Sequence, residues 1–160
     1  MKTTILVLIG SLFCDAVFAC SFARAKYFPP QNPLIVARGE KPKVPKVEFK
    51  VKRGYLNNID SCSDTGVITI EIPAQGYASY STGYLFEVVS SSEAQTIFPD
   101  LAIYSNAKSI TGVNRYSFPW VDGGSNVQEP LKVVVNIYRI GVNWVLSDPT
   151  KLEINHRGRI

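Results

Sequence analysis

The chain has 160 residues, which is enough for one domain with a hydrophobic core but not for two of ordinary size. It has one histidine, and Cys20 and Cys62 are far apart, so it matches no zinc-binding pattern and we expect neither a metal nor a cofactor. The formal net charge of +4 is uneven: residues 24–53 carry +7 and residues 54–153 carry −5. Because the basic residues are strung out rather than clustered, we interpret them as a solvated arm and expect no nucleic-acid partner.

The first nineteen residues have the features of a signal peptide. Lys2 supplies a positive start, the apolar run follows from Ile5 to Cys14, and small residues precede a cleavage point after Ala19. This run is too short to cross a bilayer, and no other stretch approaches the roughly 18 apolar residues that a spanning helix needs. We therefore assign residues 1–19 to a leader and expect a secreted or periplasmic protein without a transmembrane segment.

The residue after that cleavage point, Cys20, has three interpretations. A disulfide with Cys62 is favoured, because cleavage after Ala19 leaves two cysteines in an oxidising compartment. Closing that loop of roughly 40 residues would stabilise the fold by up to about 4 kcal/mol. The second interpretation is a lipid anchor on Cys20, although Asp15 and Phe18 depart from a lipoprotein cleavage motif. A later cut after Ala25, which would remove Cys20, ranks third.

Residues 20–43 form a proline-rich, basic segment, which we expect to be extended because proline fixes φ and lacks an amide hydrogen. From residue 44 to residue 156 the pattern changes to alternating apolar and polar residues, as in strands with one buried face. The stretch "SSEAQT" is the one helical candidate, since Ser90 and Glu93 have capping-box spacing. Seven segments are rich in branched and aromatic residues: 46–52, 67–73, 83–89, 101–104, 114–121, 131–140 and 150–155. This pattern predicts an all-β fold, an antiparallel sandwich of two sheets.

The last third of the chain, "LKVVVNIYRIGVNWVLSDPTKLEI", combines a long apolar strand, a turn at 141–143, an S-x-P step and a closing strand. It resembles the final two strands of fibronectin type III modules and related immunoglobulin-like sandwiches. "ITIEIP" and "GYLFEVV" would be the second and third strands, so the resemblance covers roughly residues 42–155. The tryptophan usual in the second strand of fibronectin modules is missing, since Trp120 and Trp144 occur later. The resemblance implies a seven-stranded immunoglobulin-like domain.

Residues that could carry chemistry are few. His156 lies beside arginines near the end of the chain, and no serine has the G-x-S-x-G context of a nucleophile, so we expect no catalytic site. Two loops, 60–66 and 122–126, contain Asp, Gly, Ser and Asn, which could ligate calcium but are also ordinary turn residues, and we favour turns. Tyr77, Tyr80 and Trp120 are candidate ligand-binding aromatics, although core packing is the favoured role of Trp120.

These features predict a non-catalytic binding or structural module that is secreted or periplasmic and has an unknown protein or glycan partner. The alternatives are an envelope lipoprotein anchored through Cys20, with its basic arm on lipid headgroups, and a carbohydrate-binding module that uses its exposed aromatics.

Overall fold

A computed structural model of the chain describes residues 26–28, 40–54, 63–74, 82–93, 96–104, 112–123, 127–141 and 144–159. These residues form seven strands in two antiparallel sheets, which confirms the all-β sandwich. The strands are β1 (Glu48–Lys52), β2 (Thr65–Pro73), β3 (Gly83–Ser91), β4 (Ile103–Tyr104), β5 (Val113–Val121), β6 (Leu131–Ile140) and β7 (Thr150–His156). Among the described residues there is no helix long and apolar enough to span a bilayer.

The smaller sheet has the strand order β1-β2-β5, and the larger sheet has the order β4-β3-β6-β7. The nine residues of β2 pair with the nine of β5, so that Ile68 lies opposite Phe118 and Ile70 lies opposite Tyr116. Cross-strand pairs of branched and aromatic side chains stabilise such sheets. Pro119 is tolerated within β5 because this strand lies at the edge of its sheet, where one backbone donor can be missing.

The core lies between the two sheets and follows the predicted alternation. Ile68, Ile70 and Ile72 of β2 are fully buried, and Tyr84 and Phe86 of β3 face them from the other sheet with at most 2% of their surface exposed. The remaining core residues are Ile97, Phe98, Ile103, Tyr116, Phe118, Trp120, Leu131, Val133, Val135, Ile137 and Ile154. One-sided burial with period two is what fixes the register of both sheets.

The proline-rich segment lies on the sandwich at the two places where it is described. Residues 26–28, the edge strip, run antiparallel to β4: Phe28 N–H donates to the carbonyl of Ala102 at 2.7 Å, and Tyr104 N–H donates to the carbonyl of Lys26 at 2.8 Å. Residues 40–47 have no regular structure, and Val44 and Val47 pack against the core. The edge strip is therefore extended where it pairs with β4.

The helical interpretation of "SSEAQT" is wrong for its described residues. Ser90 and Ser91 belong to β3, and the chain continues alongside β6 as Ser92 N–H donates to the carbonyl of Lys132 at 2.8 Å. The Ser92 hydroxyl accepts from Lys132 N–H at 2.9 Å. Capping-box spacing starts a helix only if an apolar stripe can stabilise the following turns. That stripe is missing here, and β6 supplies hydrogen bonds to an extended chain instead.

Candidate functional site

A groove lies along the outer edge of β3, and we call it the β3 groove. It has a volume of about 500 Å³ and lies between β3 and the segment 96–100 that leads to β4. Strand β4 pairs with β3 only at Gly83 and Tyr84, so the two chain segments diverge beyond that point. The lining residues are Leu85, Phe86, Glu87, Val88, Ser91, Glu93, Thr96, Ile97, Phe98, Asp100 and Val133.

A β-bulge shapes the strand side of the groove. Val88 pairs with Val135 and Ser90 pairs with Val134, which leaves Val89 as an additional residue without a partner across the sheet. Bulges bend a strand and increase its local twist. Val88 and Val89 are 42% and 56% exposed, so this part of β3 presents apolar side chains outside the core.

The opposite wall is fixed by Phe98, which inserts between the sheets and is only 2% exposed. Its ring centroid lies 4.6 Å from that of Phe118 in the smaller sheet and 6.0 Å from that of Phe86 on β3. Aromatic pairs at such separations contribute beyond the apolar area that they bury. Phe98 therefore anchors the segment 96–100 at a fixed distance from the strand, and the floor of the groove is part of the core.

In the described part of the chain, the charged side chains that line the groove are acidic. They are Glu87, Glu93 and Asp100, and none of the other described lining residues is a lysine, arginine or histidine. Five of the described acidic residues form ion pairs elsewhere, and these three groove carboxylates are in none of those pairs. The groove thus has negative potential in a chain whose net charge is positive.

Glu87 is held in place by a neighbouring strand. The hydroxyl of Tyr138 on β6 donates to its Oε2 at 2.8 Å, and the amide of Asn136 donates to the same oxygen at 3.4 Å. The hydrogen bond to Glu87, with burial and the charge of Glu87 as further causes, raises the pKa of Tyr138. Tyr138 therefore remains a hydrogen-bond donor to Glu87 well above neutral pH.

The three carboxylates do not form an ion-binding cluster. In the described part of the chain, no three His, Cys, Asp or Glu side chains lie close enough together to hold a metal ion. Separate carboxylates along an apolar groove suit a ligand with separated positive charges better than a single cation, which needs several oxygens at about 2.0–2.6 Å.

The described parts of the two loops considered for calcium, residues 63–66 and 122–123, meet at one end of the sandwich, where the Asp122 carboxylate is occupied by other partners. Asp122 N–H donates to the carbonyl of Asp64 at 2.9 Å. The Asp122 carboxylate is 1% exposed, and it accepts hydrogen bonds from Arg53 and from the amide N–H of Gly54 at 2.6 Å. Gln128 adds a bond to Oδ2 at 3.1 Å. Asp122 thus joins the ends of β1 and β5 in a buried network.

The candidate aromatics fall in different parts of the chain. Trp120 is 4% exposed and lies in the core, where the guanidinium of Arg53 is 6.0 Å from its ring and Gly66 lies against its face. Its ring is therefore not a surface platform for a ligand. Tyr77 and Tyr80 lie outside the described residues, as do both cysteines of the predicted disulfide, Cys20 and Cys62.

His156 ends β7 and is half-buried. Its Nδ1 accepts a hydrogen bond from Gly158 N–H at 3.1 Å, which stabilises the turn that leads the chain back to Gln128. The ring thus has a local structural role in the last described turn.

The groove residues Glu87, Glu93 and Asp100 were not among the candidate site residues predicted from the sequence. One signal was available: the adjacent Val88 and Val89 interrupt the alternation of β3, which is typical of a bulge. The other determinant, insertion of Phe98 into the core, has no local pattern because a single aromatic residue before a proline fits a loop equally well. Comparison with known proteins adds no relative: no protein-family model, no curated protein and no solved structure matches the chain.

Proposed function

We propose that this chain is an exported, non-catalytic binding module of the fibronectin type III kind, which engages a segment of another protein through the β3 groove. The leader-like residues 1–19 support export. The lipid-anchored alternative, through Cys20, would place the same groove at a membrane surface instead of in solution.

The fibronectin-like assignment is supported by the position of β4. In constant-type immunoglobulin domains the fourth strand joins the sheet of the first, second and fifth strands. Here β4 lies beside β3 in the other sheet, which gives three strands facing four. Together with the S-x-P step at 147–149, this order favours a fibronectin-like module over a constant-type immunoglobulin domain.

The single observation that carries the binding role is the open strand edge within a groove. No strand of the described residues pairs with the outer edge of β3 beyond Tyr84, and the groove beside it has an apolar floor. Proteins normally cover or charge such edges, because an unpaired strand edge pairs readily with other chains. An edge that is left open beside an apolar groove is a site where binding modules accept extended polypeptide.

The experiment is a peptide-display selection on the purified mature protein, followed by affinity measurements on the selected peptides. Val88→Lys places a positive charge on the exposed part of β3, and Val121→Lys makes the same change on β5, where the valine is 64% exposed. We expect selected peptides to lose at least about tenfold in affinity to Val88→Lys and to bind Val121→Lys normally. Equal binding to both variants, or no enriched peptide, contradicts the proposal.

Export is tested by intact mass measurement of the protein recovered from a secreting host, with and without reductant. Cleavage after Ala19 with a two-hydrogen difference on reduction supports a Cys20–Cys62 disulfide. A mass that includes acyl chains supports the lipid anchor, and an uncleaved chain contradicts export.

A further inference from the structure

We propose that the ligand of the β3 groove is an extended peptide segment with basic side chains, which adds to the outer edge of β3 as a further strand. This inference rests on the proposed binding function and specifies the partner's backbone conformation and charge. It is carried by three observations: the main-chain edge, the depth of the groove and the sign of its charge.

The main-chain edge of β3, unpaired among the described residues, is the reason for proposing an extended ligand. Residues 85–88 line the groove consecutively, and with about 3.3 Å per residue they offer an edge of about 13 Å. An incoming strand of about four residues can exchange backbone hydrogen bonds with this edge, as in other complexes formed by strand addition. The bulge at Val89 ends the regular edge, because the residues beyond it are out of register.

The groove has an apolar floor, which alternate side chains of an extended ligand can contact. Ile97 and Phe98 are buried beneath the space next to β3, and Val133 is 1% exposed. Successive side chains of a strand point to opposite faces. One set of ligand side chains can therefore contact this apolar floor, while the other set points to the rim.

The acidic residues at the rim of the groove indicate which ligand side chains bind there. Glu87, Glu93 and Asp100 surround the groove, and no basic residue is among the lining side chains that the structure describes. Lysine or arginine at the rim-facing positions of the ligand would neutralise them, and an acidic ligand or a nucleic acid would be repelled. Glu87 accepts a hydrogen bond from Tyr138 on the adjacent strand, which orients its carboxylate.

The test uses three synthetic peptides of about eight residues: one with alternating Lys and Val, one with Glu in place of Lys, and one with alternating Lys and Val whose alternate amides are N-methylated. Affinity is measured by fluorescence anisotropy at low and high salt. We expect the Lys–Val peptide to bind at least about tenfold more tightly than either of the others, and its affinity to fall as salt screens the carboxylates.

A double variant, Glu93→Gln with Asp100→Asn, removes two charges from positions outside the regular strands. We expect it to bind the Lys–Val peptide at least about fivefold more weakly, because two attractive charges are lost. Glu48→Gln on β1 is the matched control, since it removes an exposed carboxylate from the other sheet, and it should leave the affinity unchanged.

The outcomes separate this inference from the function on which it rests. If the Glu–Val peptide binds the groove as tightly as the Lys–Val peptide, the charge assignment is wrong although peptide binding stands. If N-methylation has no effect, strand addition is wrong. If no peptide binds and sedimentation shows a dimer that Val88→Lys dissociates, a second copy occupies the groove and both proposals are overturned.

Discussion

Arg53 and Asp122 form a buried ion pair that joins the end of β1 to the end of β5. Nη2 of Arg53 lies 2.7 Å from Oδ1 of Asp122, and the two side chains are 5% and 1% exposed. A second guanidinium nitrogen, Nε, also donates to the carboxylate, and Nη1 donates to the carbonyl of Glu129 at 3.0 Å. Such bidentate pairs are geometrically specific, so this contact fixes how the strand ends meet.

Asp122→Ala should destabilise the fold by about 3–5 kcal/mol, because it leaves the buried guanidinium of Arg53 without its counter-charge. Asp148→Ala is the control: its carboxylate pairs with Lys41 at 2.6 Å but is 81% exposed, and exposed pairs contribute little. The free energy of unfolding of both variants can be measured by urea denaturation, with tryptophan fluorescence as the signal. A similar loss of unfolding free energy in the two variants would contradict the claim that the buried pair contributes more than the exposed one.

Phe28→Ala should release the edge strip from β4. The Phe28 ring is 8% exposed and lies 4.7 Å from the ring of Trp144 and 4.9 Å from that of Tyr104, centroid to centroid. Truncating a buried phenylalanine costs about 3–5 kcal/mol, more than the strip's two backbone hydrogen bonds contribute. Hydrogen exchange at the Tyr104 amide, which donates to Lys26, should accelerate at least about tenfold. Tyr27→Ala is the control, because this residue is 53% exposed, and it should leave hydrogen exchange at the Tyr104 amide slow.

Gly66→Ala should displace Trp120. A Cβ atom at residue 66 would lie 2.4 Å from the Trp120 ring, which is closer than atoms can approach without movement. We expect a loss of about 1–3 kcal/mol and a shift in tryptophan emission, as in other overpacked cores. Gly141→Ala is the comparison, because a Cβ there meets its nearest atoms at 3.7 Å, and it should change neither quantity appreciably.

The stability of the fold should decrease in acid through Glu71. The hydrogen bond from Arg115, with the nearby charge of Lys50, lowers the pKa of Glu71 below its ordinary value of 4.5. Its stabilising contribution is therefore complete above that value and is lost as the pH falls through the pKa of the folded state. Glu71→Gln should flatten the dependence of unfolding free energy on pH below about 4.5, as measured in urea at several pH values. An unchanged slope would contradict this assignment.

Local alternation was sufficient to predict most of the fold. Ile68, Ile70 and Ile72 repeat with period two, and each is fully buried on β2. The predicted seven strands correspond to β1 to β7, because each has branched or aromatic residues bounded by turn residues. Where two local signals competed, at Ser90, hydrogen bonding to β6 prevailed over capping-box spacing.

The features that build the groove and the strand-end network could not be predicted in the same way. Arg53 and Asp122 are 69 residues apart, and nothing in the local pattern of either residue indicates the other. The groove depends on Phe98 reaching Phe118 in the opposite sheet, which is again a long-range contact. The predicted disulfide and the binding role of Tyr77 and Tyr80 lie outside the described residues and stay predictions.

The most direct test of the central claim is amide NMR mapping during titration with the Lys–Val peptide. We expect the largest chemical-shift changes at residues 85–88 and 96–98, which line the two walls of the β3 groove. The edge of β7, at residues 151–154, should not change. Shifts that are confined to β7, or that are spread evenly over both sheets, would contradict the assignment of the β3 groove as the binding site.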